Sequence, residues 1–207
     1  MSADARAGAP PVRPTLDQIV LGDAPEAWRR LGFTVDVDDR IALGGVRLQL
    51  GADGEGMVGW SFRDLANRDL DGLGACPSDA PPPEPVAHPL GAVAVDHVVV
   101  VTPDFDRTVG KFRDAGLDFR RTREAGAIRQ AFFVLGPCLL EVGGPVDGDE
   151  VRFWGLTLVV DDLDGAYARL GDRCGAPRDA VQPGRRIATL RAEAGLGLPV
   201  ALMSPRS

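Results

Sequence analysis

Two segments of the chain repeat one pattern of apolar and polar positions. The first begins VDHVVVVTPDFDRTVGKFRDAGL at residue 95, and the second begins FWGLTLVVDDLDGAYARLGDR at residue 153. In each segment a β-branched apolar run meets a short acidic turn, and the apolar residues then recur every three or four positions. The pattern predicts a strand followed by a helix with one buried stripe.

Strand-like segments follow each predicted helix. After the first helix these are LDFRRTR, IRQAFFVLG and CLLEVGG, and after the second they are RIATLR and PVALMS. Gly116 and Gly171 stand where the helices are expected to end, because glycine readily caps a helix carboxyl end. The predicted module is therefore a strand, a helix and three strands, and two copies, the second less regular, occupy residues 95–205.

A shortened form of the same order precedes these copies. The segments LDQIVLG, APEAWRRLG, FTVDV, RIALGG and VRLQL predict a single N-terminal βαβββ-like module over residues 15–62. Residues 63–94 are interpreted as a Pro-rich linker, because three consecutive prolines favour extended geometry. Residues 1–14, which lack periodicity, are interpreted as a disordered leader. The predicted fold class is α+β, with tandem βαβββ modules.

The 207 residues carry a formal net charge of -7. This acidic balance, with basic residues scattered along the chain, argues against a nucleic-acid partner. No apolar run approaches the roughly 18 residues of a membrane span, and the N-terminus has no apolar signal core, so we expect no membrane partner and a cytoplasmic location. The three cysteines lie far apart, outside any CxxC pair, and predict neither a disulfide framework nor a zinc site.

Strand alternation brings chemically active residues of the middle module onto one surface. If Val98 faces the helix, His97 faces the opposite side, and a hairpin turn between the last two strands sets Phe132 opposite Glu141. Gln130 shares that face. A histidine and a carboxylate that meet in an apolar cup are able to bind a divalent metal or to act as an acid–base pair.

The tandem modules resemble the vicinal oxygen chelate superfamily, which includes glyoxalase I, bleomycin-resistance proteins and extradiol dioxygenases. The strings that carry the resemblance are DHVVVVTPDFD, LLEVGGP, FWGLTLVVDDLD and QPGRRIATLR. The resemblance covers residues 95–205 and extends less closely over 15–62. It implies a glyoxalase-like curved mixed sheet built by two modules, whose concave face holds a metal bound by side chains from the first and last strands.

The resemblance places the metal-ligand positions of the middle module on His97 and Glu141. In the third module the same positions fall on Gly155 and Ala201, which offer no donor. Two side-chain ligands rarely hold a divalent ion unless substrate oxygens complete its coordination shell. Two alternatives therefore remain, a protein that binds a divalent metal and a protein that uses no cofactor. The corresponding N-terminal residues are Gln18 and Gln49.

The candidate catalytic residues are Glu141, as general base or metal ligand, and His97, as ligand or acid–base partner. A carboxylate inside an apolar strand is costly unless it is paired, which favours a function for Glu141. The alternative for His97 is a ring satisfied by a neighbouring carbonyl. The candidate substrate-binding residues are Gln130, Phe132, Val99 and Thr157.

Arg185 and Arg186 offer a further possibility for recognition. One guanidinium of this pair aimed at an anionic substrate group is one interpretation, and a solvated strand end is the favoured one. Cys138 and Cys174 have no basic neighbour in sequence and are interpreted as small buried apolar residues.

Three modules are an awkward number for proteins that pair them, because the N-terminal sheet would keep an open edge. Association with a second copy in a homodimer is the simplest solution. Packing onto the C-terminal unit of the same chain is a second. Pairing with the middle module is a third, and it would add Gln18 and Gln49 to His97 and Glu141 in a richer ligand set.

Three functions follow from these residues. The leading hypothesis is an enzyme of the lyase or isomerase type that acts on a small oxygenated metabolite, with Glu141 abstracting a proton next to a carbonyl. The second is a non-catalytic binding protein similar to bleomycin-resistance proteins. The third is a degenerate module that serves only dimerisation or regulation.

Overall fold

A computed structural model describes residues 12–206, which form two mixed sheets and three α-helices. The α+β fold class is confirmed. The first eleven residues of the predicted leader lie outside the described part of the chain. Among the described helices none is long and apolar enough to cross a membrane. The elements in chain order are β1 (Thr15–Leu21), α1 (Pro25–Leu31), β2 (Arg40–Leu43), β3 (Val46–Gln49), β4 (Met57–Arg63), β5 (Asp69–Leu70), β6 (Leu73–Pro77), β7 (Ala92–Val101), α2 (Phe105–Asp114), β8 (Asp118–Ala125), β9 (Ile128–Val134), β10 (Leu139–Gly144), β11 (Arg152–Val160), α3 (Leu163–Leu170), β12 (Arg178–Asp179), β13 (Arg186–Thr189) and β14 (Val200–Met203).

The C-terminal modules share one eight-stranded sheet, in the order β12-β13-β14-β11-β7-β10-β9-β8. Within each module the last strand runs parallel to the first, and the two modules join through the antiparallel pair β7 and β11. The β9–β10 hairpin sets Phe132 opposite Glu141 and Val134 opposite Leu139, the register that the alternation predicts. The core face of β7 is fully buried at Val98.

The acidic turns that open both C-terminal helices are helix caps. The side chain of Asp104 accepts a hydrogen bond from the backbone N–H of Arg107, and the side chain of Asp162 accepts one from Gly165. Each carboxylate satisfies a donor that the first helical turn leaves unpaired, and its charge favours the positive end of the helix dipole. The repeat of acidic turns in the sequence is thus a repeat of caps.

The N-terminal unit differs from its prediction in extent. Its six strands lie in the order β2-β3-β1-β4-β6-β5, and their directions match those of β9-β10-β7-β11-β14-β13 pair by pair. The strands β4, β5 and β6 therefore form a second shortened module, without a helix, that pairs with the first. The predicted strand FTVDV is absent from the described residues, where 33–37 forms coil and turn.

The interpretation of residues 63–94 as a linker is wrong for much of its length. It contains β5 and β6, and β6 pairs with β4. The prolines that follow are tied to the same sheet, because the carbonyls of Ala80 and Pro81 accept hydrogen bonds from Arg63 and Arg47. Proline has no backbone N–H and therefore cannot donate a hydrogen bond to a neighbouring strand, but its carbonyl oxygen still accepts one.

Both sheets contribute to one apolar core. Trp60 on β4 packs edge-on against Phe153 on β11, with ring centroids 4.9 Å apart, and against Phe112 on α2 at 6.4 Å. The N-terminal sheet therefore packs on the C-terminal unit of its own chain, which is one of the arrangements that the sequence left open. The homodimer stays a prediction, but it is not needed to give the N-terminal module a partner, because β4, β5 and β6 pair with that module within the chain.

One central strand of each sheet, β1 or β7, carries a bulge, and the two bulges lie at equivalent positions. On β1 the paired residues step from Leu16 to Gln18, so Asp17 is the extra residue, and on β7 the step from Val95 to His97 leaves out Asp96. A bulge interrupts strict alternation of side chains. Both aspartates are consequently buried, at 3% and 6% exposure.

Candidate functional site

A cavity of about 410 Å³ lies on the face of the eight-stranded sheet opposite the core. Residues from the central strands form its floor, and residues from both edge strands, β8 and β12, reach its walls, because the sheet is curved. The lining residues are His97, Arg121, Arg123, Gln130, Phe132, Glu141, Arg178, Ala180, Val181, Gln182, Pro183, Ile187 and Met203.

Most of the predicted site residues meet in this cavity. His97, Gln130, Phe132 and Glu141 all line it. The other two, Val99 and Thr157, are not among the lining residues. Thr157 is 5% exposed and pairs with His97 across β7 and β11, so it supports the strand that carries the histidine.

Glu141 is held by a chain of two polar side chains. The Gln130 amide Nε2 donates to Glu141 Oε1, and the amide oxygen of Gln130 accepts from Arg123, whose Nε lies 2.9 Å away. Arg123 and Gln130 are direct cross-strand neighbours on β8 and β9. Because the guanidinium fixes the orientation of the amide, the amide can only donate toward Glu141, and the carboxylate is held in one direction.

His97 is held by a second chain. Its Nδ1 lies 2.7 Å from Asp96 Oδ2, and Arg185 Nη1 donates to Asp96 Oδ1 at 2.6 Å. Burial raises the pKa of Asp96, but the hydrogen bonds from His97 and Arg185 outweigh burial, and the pKa lies below its ordinary value of 3.8. The ionised carboxylate only accepts, so Nδ1 is the donor, and Nε2 is the ring nitrogen that is left to exchange a proton.

Sequence reasoning missed Asp96 and misjudged Arg185. Strict alternation would place Asp96 on the core face with Val98, and the bulge is what brings its carboxylate to His97. The sequence favours a solvated strand end for Arg185, but its side chain is 4% exposed and also donates to the Ser204 carbonyl at 2.9 Å. Its neighbour Arg186 is the exposed member of the pair and binds Asp164.

The donor set of the cavity is small for a metal. In the described residues no group of three or more His, Cys, Asp and Glu side chains is placed to hold an ion. At the third-module position, a Cβ added to Gly155 would lie 2.9 Å from the Pro199 carbonyl oxygen, so a larger ligand residue requires the backbone to move. Ala201 offers no donor.

The richer ligand set with Gln18 and Gln49 is wrong. Both glutamines belong to the separate N-terminal sheet, and the Gln49 side chain is engaged there by Arg40 Nε at 2.9 Å and by the Asp38 carbonyl at 3.0 Å. The middle module pairs with the third module instead.

Cys138 is buried, as expected for a small apolar residue. Burial first, and the charge of Asp96 second, raise the pKa of its thiol to about 12.

No protein-family model matches the chain, and no curated protein matches it significantly. Solved structures do resemble it. Methylmalonyl-CoA epimerase from Mycobacterium tuberculosis has a TM-score of 0.48 at 20% identity, over 56% of this chain and 91% of that chain. The Streptomyces coelicolor methylmalonyl-CoA epimerase in complex with 2-nitronate-propionyl-CoA has a TM-score of 0.47 at 20% identity, over 56% and 96%.

A hypothetical protein from Bacillus halodurans is similar at a TM-score of 0.46 and 11% identity, over 55% of this chain and 94% of that chain. Similarity at this level does not transfer an activity, because one fold serves many chemistries. The chain is therefore similar in structure to these proteins, and its chemistry has to be argued from its own cavity.

Proposed function

We propose that this chain is a glyoxalase-like protein of the vicinal oxygen chelate type, and that it catalyses proton transfer on a small oxygenated metabolite. The reaction is of the isomerase or lyase class. The observation that carries the proposal is the convergence of Glu141 and His97 in one cavity, each oriented by a hydrogen-bond chain that ends in an arginine. Oriented acid–base groups are what proton abstraction next to a carbonyl requires.

In the proposed reaction Glu141 acts as the base. The C–H bond next to the substrate carbonyl breaks, its proton passes to the free oxygen of Glu141, and its electron pair enters an enediolate. Nε2 of His97 accepts a proton from the substrate or, once protonated, returns one to it, while Asp96 holds the ring in place. Hydrogen-bond donors in the same cavity stabilise the negative oxygen.

The residues present do not fit a metal held by the protein alone. His97 and Glu141 are two donors, one oxygen of Glu141 is already engaged by Gln130, and the third-module positions are Gly155 and Ala201. The guanidinium groups of the same cavity repel a cation. A divalent ion there depends on substrate oxygens to complete its shell, and no step above is routed through it.

A binding protein without catalysis is the second candidate. The observation that favours it is the close approach of Gly155 to Pro199, which leaves no room for the ligand residue that the resemblance implies. In such a protein the cavity would sequester its ligand, and Glu141 would contribute to affinity alone.

Hydrogen exchange separates the two candidates. The chain is incubated in deuterium oxide with a panel of 2-oxo acids, 2-hydroxyketones and acyl thioesters, and loss of the C–H signal is followed by NMR. We expect exchange of one class, reduced at least about 100-fold by Glu141→Gln, and unchanged by Glu150→Gln at an exposed position. Binding of a panel member without exchange, with an affinity that Glu141→Gln alters, supports the binding protein instead.

A further inference from the structure

The cavity is positively charged in an acidic chain. Arg121, Arg123 and Arg178 line it together with one carboxylate, Glu141, although the chain as a whole has a formal net charge of -7. Among the described residues none of these three guanidiniums has a carboxylate within 4.0 Å, whereas ten of the eighteen other described arginines form such pairs. Three positive charges therefore stand against one negative charge in the lining of the cavity.

Two of these arginines are stacked on one aromatic ring. The guanidinium carbon of Arg121 lies 5.3 Å from the centre of the Phe132 ring, and that of Arg123 lies 5.7 Å from it. Arg123 is already engaged by Gln130, but the guanidinium of Arg121 has no hydrogen-bond partner among the described residues. A planar guanidinium fixed by stacking, with its donors free, is suited to a carboxylate or a phosphate group.

Arg178 approaches the cavity from the other edge of the sheet. It pairs with Ile187, which also lines the cavity, whereas its neighbours Asp179 and Arg186 pair with each other. The β12–β13 hairpin thus presents one basic side chain to the cavity and one, Arg186, to the opposite face. Arginines from both edge strands, β8 and β12, face the same space only because the sheet is curved.

A second cavity of about 510 Å³ continues the basic surface. It shares Arg121, Phe132, Gln182 and Pro183 with the first, and Arg120, Arg185 and Arg206 add to its lining. The Nη2 of Arg185 is buried without a hydrogen-bond partner in the described residues. A buried donor without a partner is uncommon, and it makes this part of the surface more favourable for negative charge.

We infer that the ligand of this cavity is a small organic anion, whose carboxylate or phosphate group lies between Arg121 and Arg178. The inference deepens the proposed function and rests on it for the reacting end of the ligand, which lies at Glu141. Recognition of the anion rests on the arginines alone. The positive cavity also raises the rate at which an anion is captured by a chain that otherwise repels it.

Isothermal titration at constant ionic strength tests the inference. The probes are malonate, pyrophosphate and the neutral malonamide. We expect saturable binding of at least one anion, no binding of malonamide, and a Kd about 10-fold higher in Arg121→Gln and in Arg178→Gln, the loss expected for one charge-assisted hydrogen bond. Arg186→Gln is the matched control, since it removes the same charge from the other face of the same hairpin.

The outcomes distinguish the ligand sources and the two proposals. Binding of malonate alone assigns a carboxylate ligand, and binding of pyrophosphate alone assigns a phosphate ligand. Three outcomes overturn the inference. The first is an equal loss of affinity in Arg186→Gln, and the second is binding of malonamide as tight as that of malonate. The third is the absence of saturable binding of either anion. Anion binding in a wild-type chain that exchanges no substrate hydrogen leaves the inference standing and removes the proposed enzyme. Circular dichroism of each variant verifies its fold.

Discussion

Asp17 on β1 and Asp96 on β7 occupy equivalent bulges in the two sheets, and the groups around them differ. Asp17 accepts hydrogen bonds from Arg47, Arg63 and the Ser78 hydroxyl, so both carboxylate oxygens are engaged by structural groups. Asp96 divides its oxygens between Arg185 and His97. One bulged acid anchors its own sheet, whereas the other orients a titratable ring.

The faces next to these acids differ in the same way. On the N-terminal sheet, Arg47 and Arg63 also reach the carbonyls of Pro81 and Ala80, and the Gln49 side chain is engaged by Arg40 and by the Asp38 carbonyl. On the C-terminal sheet the equivalent strands β7 and β10 line a cavity with His97 and Glu141. The comparison indicates that one arrangement of strands supports either a face whose polar groups bind one another or a face that lines a cavity.

The largest expected effect is the loss of the N-terminal anchor. Asp17→Asn leaves two guanidiniums, at 17% and 15% side-chain exposure, without their carboxylate. Since arginine cannot shed its charge, we expect the free energy of unfolding in urea to fall by about 3–5 kcal/mol. Affinity for the anion that binds the C-terminal cavity should not change.

Two variants of the same segment control this prediction. Asp79→Asn removes an exposed charge and should cost less than about 0.5 kcal/mol, and Ser78→Ala removes one neutral donor and should cost about 1 kcal/mol. If Asp17→Asn costs no more than Asp79→Asn, the anchor is not what holds this sheet. If Asp17→Asn does not fold, the smaller loss in Ser78→Ala still measures the cluster.

Removal of Asp96 should lower the free energy of unfolding less than removal of Asp17 does, and it should lower the proposed activity more. Asp96→Asn leaves one buried guanidinium, Arg185, without its carboxylate where Asp17→Asn leaves two, and we expect the free energy of unfolding to fall by about 1.5–3 kcal/mol. Hydrogen exchange by the proposed enzyme should fall about 10-fold or more, because His97 loses the acceptor that fixes its ring. Asp179→Asn, at an exposed position, is the control, and unchanged exchange in Asp96→Asn would contradict the role assigned to Asp96.

The same acid predicts how stability depends on pH. The pKa of Asp96 is raised by burial but lowered more by His97 and Arg185, so in the folded chain it lies below 3.8. A carboxyl whose pKa is lowered on folding stabilises the fold above its unfolded pKa, and this contribution is lost as pH falls through the folded pKa. The part of the difference in unfolding free energy between wild type and Asp96→Asn that comes from the Asp96 carboxylate should therefore shrink as the pH falls below about 4. A difference independent of pH would show that the carboxylate is not ionised.

The spacing of apolar residues in the sequence predicted most strands and helices of the C-terminal modules and the register of one hairpin. The β9–β10 register follows from a hairpin turn and a period of two, and it brought Gln130, Phe132 and Glu141 together with His97. The second N-terminal module escaped detection because it has no helix, and prolines follow its short strands. Without a helical period, β5 and β6 resemble the irregular segment around them.

The rest of the site depends on features without a local signal. Asp96 reaches His97 through a bulge, which a single strand does not reveal because a bulge is a property of the pairing. Arg121 and Arg178 lie at opposite edges of the sheet and meet across a cavity through curvature. Cross-strand register gives a partial signal, since Arg123 stands opposite Gln130 and Arg121 opposite Phe132 once β8 is paired with β9.

The smallest expected effect tests whether the residue types alone make a site. The N-terminal counterparts of His97 and Glu141 are Gln18 and Gln49, and the double substitution Gln18→His with Gln49→Glu recreates the pair on the other sheet. In a Glu141→Gln background we expect it to restore no hydrogen exchange, because position 49 lies beside Arg40 and the Asp38 carbonyl and lacks the Gln130 and Arg123 side chains that orient Glu141. The number of anions bound per chain should also stay the same in titration. Exchange in this triple variant would mean that a histidine and a glutamate alone make a site, without the groups that orient them on the C-terminal sheet.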